Sequence, residues 1–281
     1  MRLLALLDGT LADPEAAHVR VDDLGLTRGD GVFETVLVVD GRPRELGPHL
    51  DRLLRSARML DLAVPALPEW ERLFATVVAA WPEPGEFAVK LVCTRGAEYG
   101  DGTPTVFALA FSIEPHTVEK RRNGVSAVVL DRGFDPGLAE RAPWLLLGAK
   151  TLSYAVNMAA QRHAASVGAD EVIFTASDGS VLEGPTSTVV VVEGRTLRTP
   201  PASSGILPGT TQAALFRAAE RAGWAAKVEP VLVDDLAAAD GVLLVSSVRR
   251  IVRVRTLDGV DLPDATGPWT ELSDLYEREY A

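Results

Sequence analysis

Residues 205–211, Gly-Ile-Leu-Pro-Gly-Thr-Thr, run straight into an apolar periodic stretch that the spacing predicts as a helix over Thr210–Ala222. Such a junction brings several backbone N–H groups to one point. A helix N-terminus of this kind is a ready anion site, and the hydroxyls of Thr210 and Thr211 add donors. The same residues are also good capping chemistry, so alone they do not distinguish a phosphate site from an ordinary helix start.

Two further residues lie upstream. Glu183 stands in Asp178-Gly-Ser-Val-Leu-Glu-Gly-Pro-Thr-Ser187, between a predicted strand and a Gly-Pro turn. It reads either as a turn carboxylate or as a partner for a protonated ring nitrogen. Lys150 stands in Gly148-Ala-Lys-Thr-Leu-Ser-Tyr154, at the lip of a helix predicted over Leu152–Val167. It reads either as a solvated lysine or as an amine that attacks a carbonyl, which requires a depressed pKa. Together, an amine, a carboxylate and a phosphate-binding helix start are what pyridoxal phosphate requires: a lysine for its aldehyde, an acid for its pyridine nitrogen, donors for its phosphate.

Outward from these residues the 281-residue chain divides in two. The first part reads as strands and helices in α+β order. Strands are predicted over Leu3–Leu7, Gly31–Val39, Ala88–Thr94 and Thr105–Ile113, with a hairpin signal at Asp40-Gly41. Helices are predicted over Pro48–Leu60 and Glu69–Ala80. Residues 112–123 are polar and contain Pro115, which places a linker at about 116–123 between a domain of residues 1–115 and a larger one of residues 124–281. In the second part, strands are expected over Val125–Leu130, Glu171–Ala176, Thr188–Glu193, Val228–Val233 and Gly241–Ser246.

Composition excludes several classes. Net charge is −11, which gives no global positive field to gather nucleic-acid phosphates. One cysteine, Cys93, cannot form an intramolecular disulfide, and four scattered histidines argue against a His-rich metal site. No run approaches the roughly 18 apolar residues of a membrane span, so a cytoplasmic protein acting on a small molecule is expected.

The motifs Arg28-Gly-Asp-Gly-Val-Phe-Glu34, His49-Leu-Asp-Arg-Leu53, Lys150-Thr-Leu-Ser-Tyr154, the Glu183 stretch and residues 205–211 occur in an order and spacing that resemble the class IV aminotransferases, pyridoxal phosphate enzymes of fold type IV. The resemblance extends to Leu244–Ser247. It implies a small α+β N-terminal domain, a larger C-terminal domain with a β-barrel-like core, the cofactor at the domain interface, and a homodimer. It implies that Lys150 binds the cofactor's aldehyde and shuttles the proton, and that Glu183 pairs with the pyridine nitrogen. Arg52, Thr210, Thr211 and Ser247 match phosphate contacts, and Tyr154 matches a tyrosine near the phenolic oxygen. Phe33 falls where the small domain faces substrate. Ser247 departs from the threonine, and Thr188 from the asparagine, common in relatives. The lysine is not followed by the Gly-Asn-Tyr of branched-chain enzymes, and Ala97–Gly102 lacks the Arg-x-His clamp of D-amino-acid enzymes. The remaining branch is 4-amino-4-deoxychorismate lyase, with Arg95 and Arg249 as candidate ligands for the substrate's carboxylates. An aminotransferase acting on a D-amino acid or branched-chain amino acid is the alternative, and a non-catalytic phosphate-binding relative a second one.

Overall fold

The computed structural model describes residues 1–280, which form two compact units, each with its own sheet. Unit one comprises Met1–Glu114 together with Ala149–Tyr154. Unit two comprises Pro115–Gly148 and the chain from Ala155 onward.

Unit one holds strands β1 (Arg2–Leu6) and β2 (Leu11–Ala12), helix α1 (Leu24–Thr27), strands β3 (Gly31–Val39) and β4 (Arg42–Pro43), helices α2 (Leu46–Met59) and α3 (Leu67–Ala80), and strands β5 (Glu86–Thr94) and β6 (Thr105–Ser112). The six strands form an antiparallel sheet in the order β2-β1-β6-β5-β3-β4. Asp40 and Gly41 both take positive φ, the requirement of the tight turn that joins β3 to β4. Alternation sorts β3 cleanly. Val32, Val36 and Val38 join Leu50, Leu53 and Ala57 of α2 and Trp70, Leu73 and Val77 of α3 in one buried core. Phe33 and Thr35 point to the opposite face. Each fully buried side chain of this size contributes about 1.5–3 kcal/mol.

Unit two holds helix α4 (Pro115–Asn123), strand β7 (Val125–Asp131), helices α5 (Leu138–Arg141) and α6 (Ala155–Ser166), strands β8 (Glu171–Thr175), β9 (Glu183–Gly184), β10 (Ser187–Glu193) and β11 (Thr196–Thr199), helix α7 (Thr210–Arg221), strand β12 (Ala225–Val228), helix α8 (Val233–Ala238), strands β13 (Gly241–Ser246), β14 (Arg250–Leu257) and β15 (Val260–Asp261), and helix α9 (Thr266–Arg278). Its nine-stranded mixed sheet runs β12-β11-β10-β13-β14-β7-β8, with β9 on β10 and β15 on β14. Val189 and Val191 belong to one core and Val190 and Val192 to another, so β10 is buried on both faces. That explains an uninterrupted Val run where a half-exposed strand would alternate.

Three expectations change. Residues 116–123 form α4 instead of a linker, with Arg121 buried. The strand expected over 228–233 lies at Ala225–Val228, paired in parallel with β11, while Val233 begins α8. The helix after Lys150 starts at Ala155, and the Lys150 segment clusters with unit one. Among the described residues no helix is long and apolar enough to cross a membrane.

Candidate active site

Lys150, Phe33 and Tyr154 meet in unit one, with Arg52 behind the same strand. Lys150 lies in a segment with no helix of its own, docked on the start of β3. The Phe33 N–H donates to the Lys150 carbonyl at 3.2 Å, the Leu152 N–H donates to the Gly31 carbonyl at 2.9 Å, and Val32 bridges to Thr151. β4 covers only Val38 and Val39 of β3, so the edge at Gly31–Phe33 is open to receive this segment. A Cβ at Gly31 would press on the Cys93 carbonyl and the Leu152 side chain, so the close approach requires glycine. The Lys150 Nζ sits 4.3 Å from the centre of the Phe33 ring, and the Tyr154 ring meets Phe33 edge-on at 5.5 Å.

Behind β3, on the helix face, Glu34 is fully buried. Its carboxylate accepts Arg52 Nε at 2.6 Å and Arg52 Nη2 at 2.8 Å, and meets His49 Nδ1 at 2.7 Å. Burial alone would push the Glu34 carboxyl up, but the Arg52 guanidinium and His49 hold it well below the usual carboxylate range. Burial pulls His49 below its ordinary value, against the pull of Glu34 and with the help of Arg52 and Lys150. His49, Arg52 and Ser56 share one face of α2 by helical spacing.

Sequence reasoning missed Lys90. It lies on β5 opposite Thr35, hence on the Phe33 face of the sheet, with Nζ 5.5 Å from the Phe33 ring centre. Burial lowers its pKa, and among the described residues no carboxylate or other hydrogen-bond acceptor pairs with it. The signal was present as a lysine inside the apolar run Phe87–Cys93, where strand alternation puts it on the face opposite Val89 and Leu91.

Glu183, Thr210, Thr211, Ser247 and Arg249 lie in unit two, and Arg95 in unit one. Glu183, on β9, accepts the Leu207 N–H at 3.1 Å. This bond ties the Glu183 turn to the loop that enters α7. Thr210 and Thr211 open that helix, both buried, and its N-cap, Gly209, has no side chain with which to accept from it. Buried N–H groups at the start of a 12-residue helix suit a phosphate, and a carboxylate held one loop away suits a protonated ring nitrogen. The donor set thus fits pyridoxal phosphate. Thr188 pairs with Val245 across β10 and β13, and its hydroxyl packs against Gly209. Ser247 follows β13 in a turn whose Val248 carbonyl accepts Arg121 Nε at 3.1 Å and also Arg121 Nη2.

The two candidate substrate arginines have other partners. Arg95 donates to Asp30 at 2.7 and 3.1 Å and to the carbonyls of Leu60 at 2.8 Å and Asp61 at 3.0 Å, bracing the end of α2 against the loop before β3. Arg249 is paired with the buried Glu171 and donates to Thr186 Oγ1 at 2.7 Å, which links the Ser247 turn to the Glu183 turn. Both therefore brace the scaffold through the bonds they make, Arg95 with most of its donors and Arg249 with two of its nitrogens.

A model of the amino-transferase class IV family matches residues 31–257. The chain belongs to this family. A bifunctional aminodeoxychorismate lyase / D-amino acid transaminase of Mycobacterium tuberculosis is 44% identical over 270 residues, covering 93% of each chain. A structure described as a hypothetical aminotransferase from the same organism, in its PLP-bound form, superposes with a TM-score of 0.93 at 43% identity and covers 98% of both chains. The 4-amino-4-deoxychorismate lyase of Pseudomonas aeruginosa superposes with a TM-score of 0.77 at 26% identity, covering 100% of this chain and 99% of that one. Class IV membership makes the chain similar to both lyases and transaminases, so the choice between the two reactions depends on substrate recognition.

Proposed function

We propose that this class IV enzyme is a pyridoxal phosphate-dependent lyase that converts 4-amino-4-deoxychorismate to 4-aminobenzoate and pyruvate. The observation that carries the reading is Lys90. A partly buried ammonium with no acid beside it is costly unless an anion completes it. It shares the Phe33 ring with the Lys150 amine, so a substrate amine reacting near Lys150 brings its carboxylate within reach of Lys90. The proposed substrate carries two carboxylates and one amine.

When bound, the cofactor supplies an electron sink for the carbanion formed at the amine-bearing carbon. The chain's residues do the rest. Lys150 Nζ would hold the cofactor through its aldehyde and, once free, serve as the general base that takes the proton from the amine-bearing carbon. The Glu183 carboxylate accepts the pyridine N–H and keeps that nitrogen protonated. The backbone N–H groups of Thr210 and Thr211 and the Ser247 hydroxyl would hold the phosphate, and the Arg52 guanidinium, oriented by Glu34, would supply a cation for it. Tyr154 would serve the phenolic oxygen, and Phe33, packed under Lys150 Nζ, would exclude water beside it. The electron pair left by the lost proton expels the enolpyruvyl oxygen. The enolpyruvate so released gains, at its methylene carbon, a proton in place of the one Lys150 removed and becomes pyruvate, and the ring becomes aromatic.

The product assay is direct. Purified protein with aminodeoxychorismate should release 4-aminobenzoate and pyruvate in equal amounts, and Lys150→Ala should release neither and lose the visible cofactor band. A second reading, transamination of a D-amino acid, is favoured by the bifunctional relative at 44% identity. Glutamate formed from D-alanine and α-ketoglutarate with no 4-aminobenzoate would replace the first reading with the second.

A further inference from the structure

Lys150 has no secondary structure of its own, yet its reactive side chain must leave the main chain in one direction. Two groups fix that main chain. On one side the Lys150 carbonyl is held by the Phe33 N–H of β3. On the other, the Lys150 N–H donates to Ser56 Oγ at 3.0 Å. Ser56 is fully buried on α2 among Leu50, Leu53 and Ala57, where an apolar side chain would pack as well. Buried helix serines commonly bond a carbonyl of their own preceding turn. Among the described residues this one makes no such bond, and its recorded partner is Lys150. The helix cannot drift relative to β3, because Glu34 is clamped by Arg52 and His49 on the same helical face.

We propose that Ser56 is a positioning residue for Lys150: its hydroxyl fixes the main chain of the lysine so that Nζ is held over Phe33, ready to condense with the cofactor aldehyde. The inference rests on the reading that Lys150 carries the cofactor. A positioning role makes a prediction that a purely structural role does not. Pyridoxal phosphate binds through its phosphate, its ring nitrogen and covalent attachment to Lys150 with loss of water. Pyridoxamine phosphate has no aldehyde and uses only the first two. Losing Ser56 should therefore weaken the aldehyde form selectively.

The experiment titrates full-length apoprotein with each compound, for wild type, Ser56→Ala and Ser56→Cys. Cysteine keeps the packing and offers a poor acceptor. Pyridoxal phosphate affinity should fall about tenfold in both variants, which corresponds to about 1.4 kcal/mol. Pyridoxamine phosphate affinity should stay within about twofold. Hydrogen exchange of the Lys150 amide should quicken in both variants while β5 amides keep their protection. Equal weakening of both compounds, or wild-type behaviour of either variant, overturns the proposal. Borohydride reduction of the wild-type complex followed by peptide mass analysis separates the underlying reading. A label absent from Lys150 defeats that reading, whereas a label on Lys150 with unaffected variants defeats only the role of Ser56.

Discussion

Replacing Glu34 by glutamine keeps the side chain's size and removes its charge. Glu34 is fully buried and Arg52 is 8% exposed, so water cannot take over the guanidinium. Removing one member of a buried, hydrogen-bonded ion pair costs about 3–5 kcal/mol, most of it from the stranded charge. Glutamine still accepts one bond but turns its NH2 toward donors of Arg52 or His49, so a loss of about 3 kcal/mol is expected. With a urea slope of about 1–3 kcal/mol per M, the midpoint of unit one should drop by about 1–3 M. Two units need not unfold together, so the transition is best followed through Trp70 and Trp81, both in unit one. The pH dependence follows from the sign of the shift. The folded carboxyl lies below its ordinary value of 4.5, so its contribution is complete above that pH and is lost as pH falls toward the folded value. The gap between wild type and Glu34→Gln should therefore be constant above pH 4.5 and close in stronger acid. The double variant Glu34→Leu with Arg52→Met removes both charges and should cost far less than the single one. If Glu34→Gln loses no more than this double variant, the stranded-charge reasoning is refuted.

Three other outcomes are expected. Lys90→Met should raise KM for aminodeoxychorismate about tenfold with kcat within about twofold, since it removes binding that is equal in ground and transition states; an unchanged KM in steady-state assays would remove Lys90 from the site. Burial pushes the Cys93 thiol up to about 12, with Asp23 adding to the shift, so iodoacetamide near pH 8 should label the protein only after unfolding; rapid labelling of folded protein, read by mass, would contradict this. Gly209→Ala places a Cβ against the Thr188 hydroxyl and should cost about 1–3 kcal/mol, with much of the loss recovered in the double variant carrying Thr188→Ala; additive losses in thermal denaturation would show that the two residues do not touch.

The strands and helices that carry strong patterns were legible before any coordinates. β3 spans Gly31–Val39, ended by the Asp40-Gly41 turn, and β13 spans Gly241–Ser246, as the apolar runs indicated. α7 begins at Thr210, where Gly-Thr-Thr meets an apolar period. α4 was hidden because Pro115–Asn123 is polar almost all round, so its period carries no apolar stripe. β12 was displaced because Ala225–Val228 is largely exposed and lacks the β-branched run that follows it.

For the site, local chemistry in the chain nominates Lys150, Glu183 and the 205–211 turn, because an amine, a carboxylate and a helix start each have a recognisable local context. What each side chain touches depends on residues far away in sequence. Arg95 and Arg249 look like available cations in one dimension. Only folding shows Asp30 and Glu171 waiting for them, 65 and 78 positions away. Lys90 looks like a strand lysine until the sheet buries it on the Phe33 face without an acid. Ser56 looks like a helix-surface residue until the Lys150 segment, 94 positions on, docks its amide there. Backbone propensity acts over a few residues and can be read along the chain. Charge pairing and burial act through space, so the tertiary structure alone decides which cations are spent and which remain to bind substrate.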